Sequence, residues 1–410
     1  MRGEEAPRLR LAMVSTFDEL CGIASYTRAL VPLLQASMEV EVLDLDQGLL
    51  LNTHPRISAL GDRHIRDIAA RLREADAVNI QLEFGTLGLT PPQILRRLGW
   101  MMEAARALTL TLHRVPEPEG TPWGAILAGG APGAFGRFVA AVHEARLARG
   151  LHRLMRQAER RRPFGLIVHG AREARLLRDL HGYRTVEHHP LAFLPQDAAR
   201  ALRQSASRAD FPQLAALPPD AVLVGIFGFL SPYKGIETAI EALRLLPPTH
   251  HLLLFGNVHS QRYRPHQPID PYLKRLVEAC GGGLFHRVHF MGSPPDAAFA
   301  RAMAVCDVVA LPYLEVGQTS SGAIAIALEL GCRVVASRTR NFLQLDRAMP
   351  GRMALFDVGN PVELAQRILA PGPRPADGAA LPFGTASNTA LYCTLHRRLA
   401  AGASAQPRVA

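Results

Sequence analysis

The chain is poor in lysine, so each of its few lysines is a candidate for a specific role. Of 46 basic residues only Lys234 and Lys274 are lysines, and the others are arginines. The five cysteines are odd in number, scattered and without a CxxC pair, which argues against a disulfide framework or a zinc ribbon and favours a reducing compartment. No apolar run approaches the ~20 residues that span a bilayer, and no signal-peptide pattern opens the sequence. We therefore expect a soluble, cytoplasmic protein.

Composition sets further limits. The 410 residues, 48% of them hydrophobic, suffice for two or three domains with packed cores, so wholesale disorder is excluded. The formal charge of +10 fits nucleic acid, an anionic membrane surface or a phosphorylated ligand, but a merely solvated basic surface explains it as well. Nucleic-acid binding rests on charge alone, and we do not predict it.

Strand-like and helix-like segments alternate along most of the chain. The strands are continuous apolar runs, which is typical of parallel strands covered by helices on both faces. The predicted strands are 9–15, 40–45, 77–82, 108–113, 164–169 and 184–189, then 222–227, 251–255, 287–291, 308–312 and 333–336. The fold class is therefore α/β, with two doubly wound, Rossmann-like parallel sheets.

The interruptions of this pattern predict the domain borders. A first Rossmann-like domain spans 1–195, a polar, proline-flanked linker 196–219, a second domain 220–383 and a final helix 384–400. Ligands of such sheets bind at the carboxyl ends of the strands. We expect a ligand cleft between the two domains.

Two segments of the second domain are suited to phosphate. In the run from Gly225 to Gly235, Lys234 stands where a loop opens a helix, beside free backbone N–H groups. In the second segment Thr319, Ser320, Ser321 and Gly322 open another helix with hydroxyls and amides. Each alone could be a simple turn or helix cap. Together they favour a pyrophosphate site.

Polar residues also follow strands of the first domain. Gly22 lies where the chain enters its first helix, Glu83 belongs to a Gln-Leu-Glu-Phe-Gly run, and His113 ends the fourth strand. The glycine pattern is not GxGxxG, so a nicotinamide cofactor is poorly supported.

In order along the chain, these segments resemble family 4 retaining glycosyltransferases of the GT-B fold. The resemblance rests on Gly-Ile-Ala-x-Tyr-Thr at 22–27, Gln-x-Glu-Phe-Gly at 81–85, the histidine at 113, Ser-Pro-Tyr-Lys-Gly at 231–235, and Ser-Gly at 321–322 leading to Gly-x-x-Val-Val-Ala-Ser at 331–337. It spans residues 9–337, and the final helix fits the family's habit of crossing back to the first domain.

The resemblance implies transfer of a hexose from a nucleotide-diphosphate sugar to a saccharide or lipid-linked acceptor, without a metal or other cofactor. It implies catalytic roles for His113, Lys234 and Glu83. Acceptor-side residues would be Gly22, Ile23 and Tyr26. Donor-binding residues would be Gly228, Lys234, Gly256, Gln318, Thr319, Ser320, Ser321 and Gly322.

Three departures from the family pattern affect four positions. Its two glutamates fall on Gln318 and Ile326, its usual arginine before the lysine loop on Phe229, and Arg114 follows the histidine where an acid or small residue is common. Gln318 can still bond a sugar hydroxyl, whereas Ile326 cannot accept from a ribose hydroxyl. The alternative is therefore a catalytically weak or inactive GT-B protein, a nucleotide-binding partner of another transferase.

Two other signals are weaker. Asp44-Leu-Asp46 matches a DxD metal motif but ends a strand, where acidic residues are common, and we predict no metal there. Residues 146–162 hold seven arginines interleaved with Leu147, Leu151, Leu154 and Met155. This basic amphipathic helix fits peripheral contact with an anionic membrane or a solvated face packed on its leucines.

Overall fold

The computed structural model describes residues 8–19, 21–115, 134–214, 216–258, 269–315, 317–372 and 381–405. The chain divides into two compact units. Unit 1 comprises Met1–Pro190 and Ser387–Ala410, and unit 2 comprises Leu191–Ala386. Unit 1 is therefore built from two stretches of chain that unit 2 separates.

Unit 1 contains a six-stranded parallel sheet in the order β2-β1-β3-β4-β5-β6. Its strands are Arg10–Ser15 (β1), Glu39–Asp44 (β2), Ala77–Leu82 (β3), Leu108–Leu112 (β4), Phe164–Val168 (β5) and Val186–His188 (β6). The helices between them are Gly22–Gln35 (α1), Gln47–Leu50 (α2), Pro55–Leu72 (α3), Pro91–Ala104 (α4), Ala134–Arg161 (α5) and Ala171–Arg175 (α6). β3, β4 and β5 are buried along their whole length, as their apolar runs require.

Unit 2 repeats the design, with strand order β12-β11-β10-β7-β8-β9 and all pairs parallel. Its strands are Val222–Phe227 (β7), His250–Phe255 (β8), Val288–Gly292 (β9), Val308–Leu311 (β10), Val334–Ser337 (β11) and Met353–Phe356 (β12). Its helices are Gln196–Ser205 (α7), Ile236–Arg244 (α8), Pro271–Ala279 (α9), Asp296–Val305 (α10), Gly322–Glu329 (α11), Arg340–Ala348 (α12) and Pro361–Leu369 (α13). The last helix, Thr385–Ser404 (α14), joins unit 1 from Ser387 onward.

The two sheets confirm the predicted fold class, but the segment predicted as a linker differs. Residues 196–205 form α7, and Phe211 and Leu214 are buried in the core of unit 2. The border between the units lies at Pro190 rather than at 195.

In each sheet the strand order reverses once, between β1 and β3 in unit 1 and between β7 and β10 in unit 2. The connections after two such neighbouring strands leave in opposite directions and open a crevice at their carboxyl ends. The crevice of unit 2 is flanked by both phosphate-type segments, since one follows β7 and the other β10.

Candidate functional site

Lys234 is a buried cation in unit 2. It closes a short 3-10 turn, Pro232–Lys234, and is 5% exposed. Its Nζ donates a hydrogen bond to the hydroxyl of Tyr313. Within the described residues no carboxylate pairs with it, although buried charges in proteins are normally paired.

Tyr313 connects the two phosphate-type segments. Its hydroxyl oxygen lies 3.2 Å from Oγ of Ser321, the residue that precedes α11. Ser321 makes no side-chain cap to its own helix, so its hydroxyl serves this bridge instead. The chain Lys234–Tyr313–Ser321 thus brings together the two segments that the sequence predicted as one site.

Burial shifts the pKa values of both Lys234 and Tyr313. It lowers the pKa of Lys234 from its usual value, while the neighbouring Tyr233 acts in the opposite direction. Burial likewise raises the pKa of Tyr313, which stays a neutral phenol. An anion placed beside the ammonium group would restore the pKa that burial lowers.

The remaining donor-side residues lie along the same edge. Gly256 follows β8, and a Cβ there would lie 1.9 Å from the carbonyl oxygen of Gly228, so only glycine fits. Lys234 packs over Gly228, because a Cβ on that residue would lie 3.0 Å from Nζ. In the segment before α11, Thr319 is buried and Gln318 and Ser320 are half-buried. Gly322 begins α11.

Glu329, which the sequence reading left without a role, ends α11. Its two carboxylate oxygens accept backbone N–H groups of Phe193 at 2.9 Å and Leu194 at 3.1 Å. Burial raises its pKa to about 8, against the effect of these two hydrogen bonds. Ile326, at the family's second acidic position, packs against the hydrophobic core of unit 2.

In unit 1, His113 lies among aromatic rings at the carboxyl edge of the sheet. Its Nε2 is 2.8 Å from Oε1 of Gln81, and its ring centre lies 5.7 Å from that of Tyr26 and 4.9 Å from that of His169. Burial, followed by the nearby His169, lowers the pKa of His113 well below its usual value. The imidazole is therefore neutral at pH 7.

His169 was missed by the sequence reading. It follows β5 in the register in which His113 follows β4, and this repetition of histidine at adjacent strand ends was the available signal. Burial lowers its pKa to about 4. Its Nδ1 is 3.0 Å from the carbonyl oxygen of His189, while its buried Nε2 finds no hydrogen-bond partner in the described part of the chain.

The other residues predicted on the acceptor side lie in unit 1 and differ in their burial. Burial raises the pKa of Glu83, which the charge of Arg114 partly offsets. Tyr26 is fully buried, whereas Gly22 is exposed at the start of α1 and Ile23 is half-buried. A Cβ on Gly22 would meet nothing within 4 Å, so packing against the described residues does not require glycine there.

The acidic and histidine residues of the weaker sequence signals make hydrogen bonds within the fold. Asp44 accepts the N–H of Phe17 at 2.6 Å, and Asp46 caps α2 through the N–H of Leu49 at 3.1 Å. His251 and His289 face each other at 3.0 Å between neighbouring strands. Within the described residues no three His, Cys, Asp or Glu side chains are grouped as metal ligands would be.

The arginine-rich helix α5 uses its apolar side in the core. Leu151 and Met155 are buried in the core of unit 1, with Leu147 and Leu154 packed against it. Arg146, Arg149, Arg153, Arg160 and Arg161 are exposed. Among the described side chains of α5, from residue 141 onward, the leucine side is thus packed in the core and the exposed side is rich in arginine. Among the helices of the described residues, none combines the length and apolarity that crossing a membrane requires.

Comparisons with known proteins agree with this architecture. No family model matches the chain. A curated relative, the GDP-mannose:glycolipid 4-beta-D-mannosyltransferase of Xanthomonas campestris pv. campestris, is 27% identical over 133 residues. That match covers 32% of this chain and 35% of the relative, so the chain spans about a third of the length of the curated proteins it matches.

Solved structures match over nearly the whole chain. Anabaena HepE in complex with UDP and glucose has a TM-score of 0.57 at 19% identity, covering 97% of this chain and all of that one. Sucrose-phosphate synthase from Thermosynechococcus elongatus has a TM-score of 0.58 at 17% identity, covering 97% and 94%. With the two parallel sheets, these likenesses show a two-domain α/β fold of the GT-B type.

Proposed function

We propose that this protein is a glycosyltransferase of family 4 type, which moves a hexose from a nucleotide-diphosphate sugar to a saccharide or lipid-linked acceptor in polysaccharide or glycoconjugate synthesis. The observation that carries the proposal is the buried ammonium group of Lys234, without a carboxylate partner in the described chain and joined through Tyr313 to Ser321. The matched relative and the HepE structure, whose names include GDP-mannose, UDP and glucose, support this reading.

The chemistry needs a site for the departing diphosphate. The C1–O bond of the donor sugar breaks and the nucleoside diphosphate takes up the bonding electrons, so negative charge grows on the phosphate oxygens. The acceptor oxygen forms the new bond to C1, and its hydroxyl proton would pass to an oxygen of the departing phosphate. Lys234 would neutralise that charge, and Thr319, Ser320, Ser321 and Gly322 would donate hydroxyls and amides. Removal of one such preorganised donor typically costs on the order of 100-fold in rate.

The other roles are those that the resemblance to family 4 implies. Gln318 would bond a hydroxyl of the donor sugar. His113, neutral at pH 7, would act near the reacting carbon as a hydrogen-bonding group rather than as an imidazolium acid, with Glu83 near the acceptor and Gly22, Ile23 and Tyr26 shaping that side. No second carboxylate is placed as a nucleophile in the sequence pattern, which favours front-face transfer with retention over double displacement.

Donor turnover tests this function with a matched pair of variants. Purified protein is given UDP-, GDP- and ADP-sugars, and slow hydrolysis is followed for wild type, Lys234→Ala and Lys274→Ala. Lys274, the other lysine, is exposed on α9 and lies 3.8 Å from Glu278. We expect Lys234→Ala to lose about 100-fold and Lys274→Ala to retain wild-type turnover.

Three other outcomes separate the alternatives. Turnover that survives Lys234→Ala would overturn the assignment of the site. Tight nucleotide binding without turnover of any donor would favour the inactive partner of another transferase. When an acceptor is present, the one-bond C–H coupling at C1 of the glycoside formed reports its anomeric configuration, and an inverted glycoside would remove retention while leaving the transferase.

Peripheral membrane contact belongs to the same proposal. The exposed arginines of α5 continue on the neighbouring helices, where Arg66 and Arg96 stack on Trp100 at 4.4 and 5.5 Å. Because the leucine side of α5 is buried, contact with anionic lipid would be electrostatic, without insertion of an apolar face.

A further inference from the structure

A buried hydrogen-bonded network in unit 1 has no part in the chemistry described so far. It joins α14 to strands β3 and β4. Its polar side chains are all buried: Asn79, Gln81, Thr109, Thr111, Asn388, Tyr392 and His396. Burial of polar groups costs free energy unless each finds partners, and apolar side chains would dock a helix without that cost.

Tyr392 lies at the centre of this network. Its hydroxyl oxygen is 2.9 Å from Oγ1 of Thr111 and accepts from Nε2 of Gln81 at 3.3 Å. Tyr26 donates to the same oxygen at 3.4 Å and itself accepts from Nδ2 of Asn388 at 2.9 Å. One phenol of α14 therefore meets both central strands and α1.

Gln81 connects Tyr392 to His113. Besides Tyr392, its Nε2 donates to Oδ1 of Asn79 at 2.8 Å. With its amide hydrogens directed at these two acceptors, Oε1 of Gln81 faces Nε2 of His113 at 2.8 Å. An amide oxygen only accepts, so the hydrogen of this bond lies on Nε2 and the lone pair of the neutral ring on Nδ1.

We propose that Tyr392 is a positioning residue, which orients the amide of Gln81 and thereby holds His113 in the Nε2–H tautomer. In that tautomer Nδ1 can accept a hydrogen bond from a hydroxyl of the substrate. Only this last step rests on the proposed function, because the tautomer is a property of the protein alone.

Long-range 1H–15N NMR of protein labelled with 15N-histidine reads the tautomer directly. The His113 signal is assigned by its loss in His113→Gln. Wild type is expected to show the Nε2–H form. Tyr392→Phe keeps the ring but removes the hydroxyl, and we expect a mixture of tautomers and about tenfold lower kcat with unchanged donor KM.

Tyr183→Phe is the matched control. Tyr183 is buried in unit 1 as Tyr392 is, and the substitution is the same, but its hydroxyl lies 2.9 Å from Nδ1 of His152 rather than against Gln81. It should leave the His113 signal unchanged. An Nδ1–H signal in wild type overturns the proposal, as does a Tyr392→Phe variant with unaltered tautomer and kcat. If wild type turns over no donor, the proposed function fails while the tautomer still decides this inference.

Discussion

A Cβ atom on Gly235 would lie 1.9 Å from the carbonyl oxygen of Pro312. Gly235 follows Lys234 with a φ of +63°, and Pro312 directly follows β10. The lysine turn is therefore in backbone contact with the connection that runs from β10 to Ser321, to which Tyr313 also links it. This close approach is possible only because Gly235 has no side chain.

Replacing Gly235 should consequently be far more costly than backbone conformation alone explains. Gly331→Ala is the matched control, because Gly331 has the same φ of +63° but nothing within 4 Å of a Cβ. We expect about 1–2 kcal/mol of lost unfolding free energy for Gly331→Ala. Gly235→Ala should lose about 3 kcal/mol or more, since overpacking adds to strain. Urea unfolding measures both, and equal losses would contradict the contact.

The hydroxyl of Tyr313 should contribute to binding of the nucleotide diphosphate. Tyr313→Phe removes the group that holds both Lys234 and Ser321, and we expect about tenfold weaker binding of the preferred nucleotide by calorimetry. Tyr272→Phe, which loses a 2.7 Å hydrogen bond to Glu237 elsewhere in unit 2, should bind as wild type does. Equal affinities of the two variants would remove Tyr313 from the site.

Glu329 predicts a pH dependence of stability. Its pKa is about 8 when folded against 4.5 ordinarily, so between these values the folded state binds more protons than the unfolded state. Its contribution is complete below pH 4.5 and is lost as the pH rises through 8. The free energy of unfolding should fall over this range by at most about 1.4 kcal/mol per pH unit.

The comparison is with Glu329→Gln, which has no carboxyl to titrate. Denaturant unfolding between pH 5 and 8 should show the steeper decline in wild type. Parallel curves for the two proteins would show that the carboxyl is already ionised when folded.

Binding to anionic vesicles should depend on the exposed side of α5. Replacement of Arg149, Arg153 and Arg160 by Gln should reduce co-sedimentation with anionic liposomes, and added salt should weaken wild-type binding. Replacement of Arg200, Arg275 and Arg347, which are exposed in unit 2, is the control of equal charge change. Equal recovery of wild type with neutral and anionic vesicles would dispose of membrane contact.

The sequence was most informative where the structure is local. Both sheets were predicted because continuous apolar strands stand out between helices. Strand β12 was not predicted, because it is only four residues long and half of them are incompletely buried. Helix α7 was taken for a linker because it buries little besides Ala199 and so lacks an apolar stripe.

In the candidate site, the contacts that could not be predicted join residues that lie far apart in the sequence. Lys234 and Ser321 each open a helix after a strand, and that pattern is visible in a few consecutive letters. The bridge through Tyr313, the carboxylate of Glu329 on Phe193, and the role of Tyr392 all join residues that only the folded sheets bring together. Residue types alone gave no sign of these pairs.

The interrupted construction of unit 1 affects how the protein is made. During translation β3 and β4 leave the ribosome before all of unit 2, and α14 follows afterwards. Until then Gln81, Thr109 and Thr111 lack the hydrogen-bond partners that Tyr392 and His396 provide. Unit 2, being one continuous stretch, can complete its folding first, so the half that is synthesised earlier is the half that matures later.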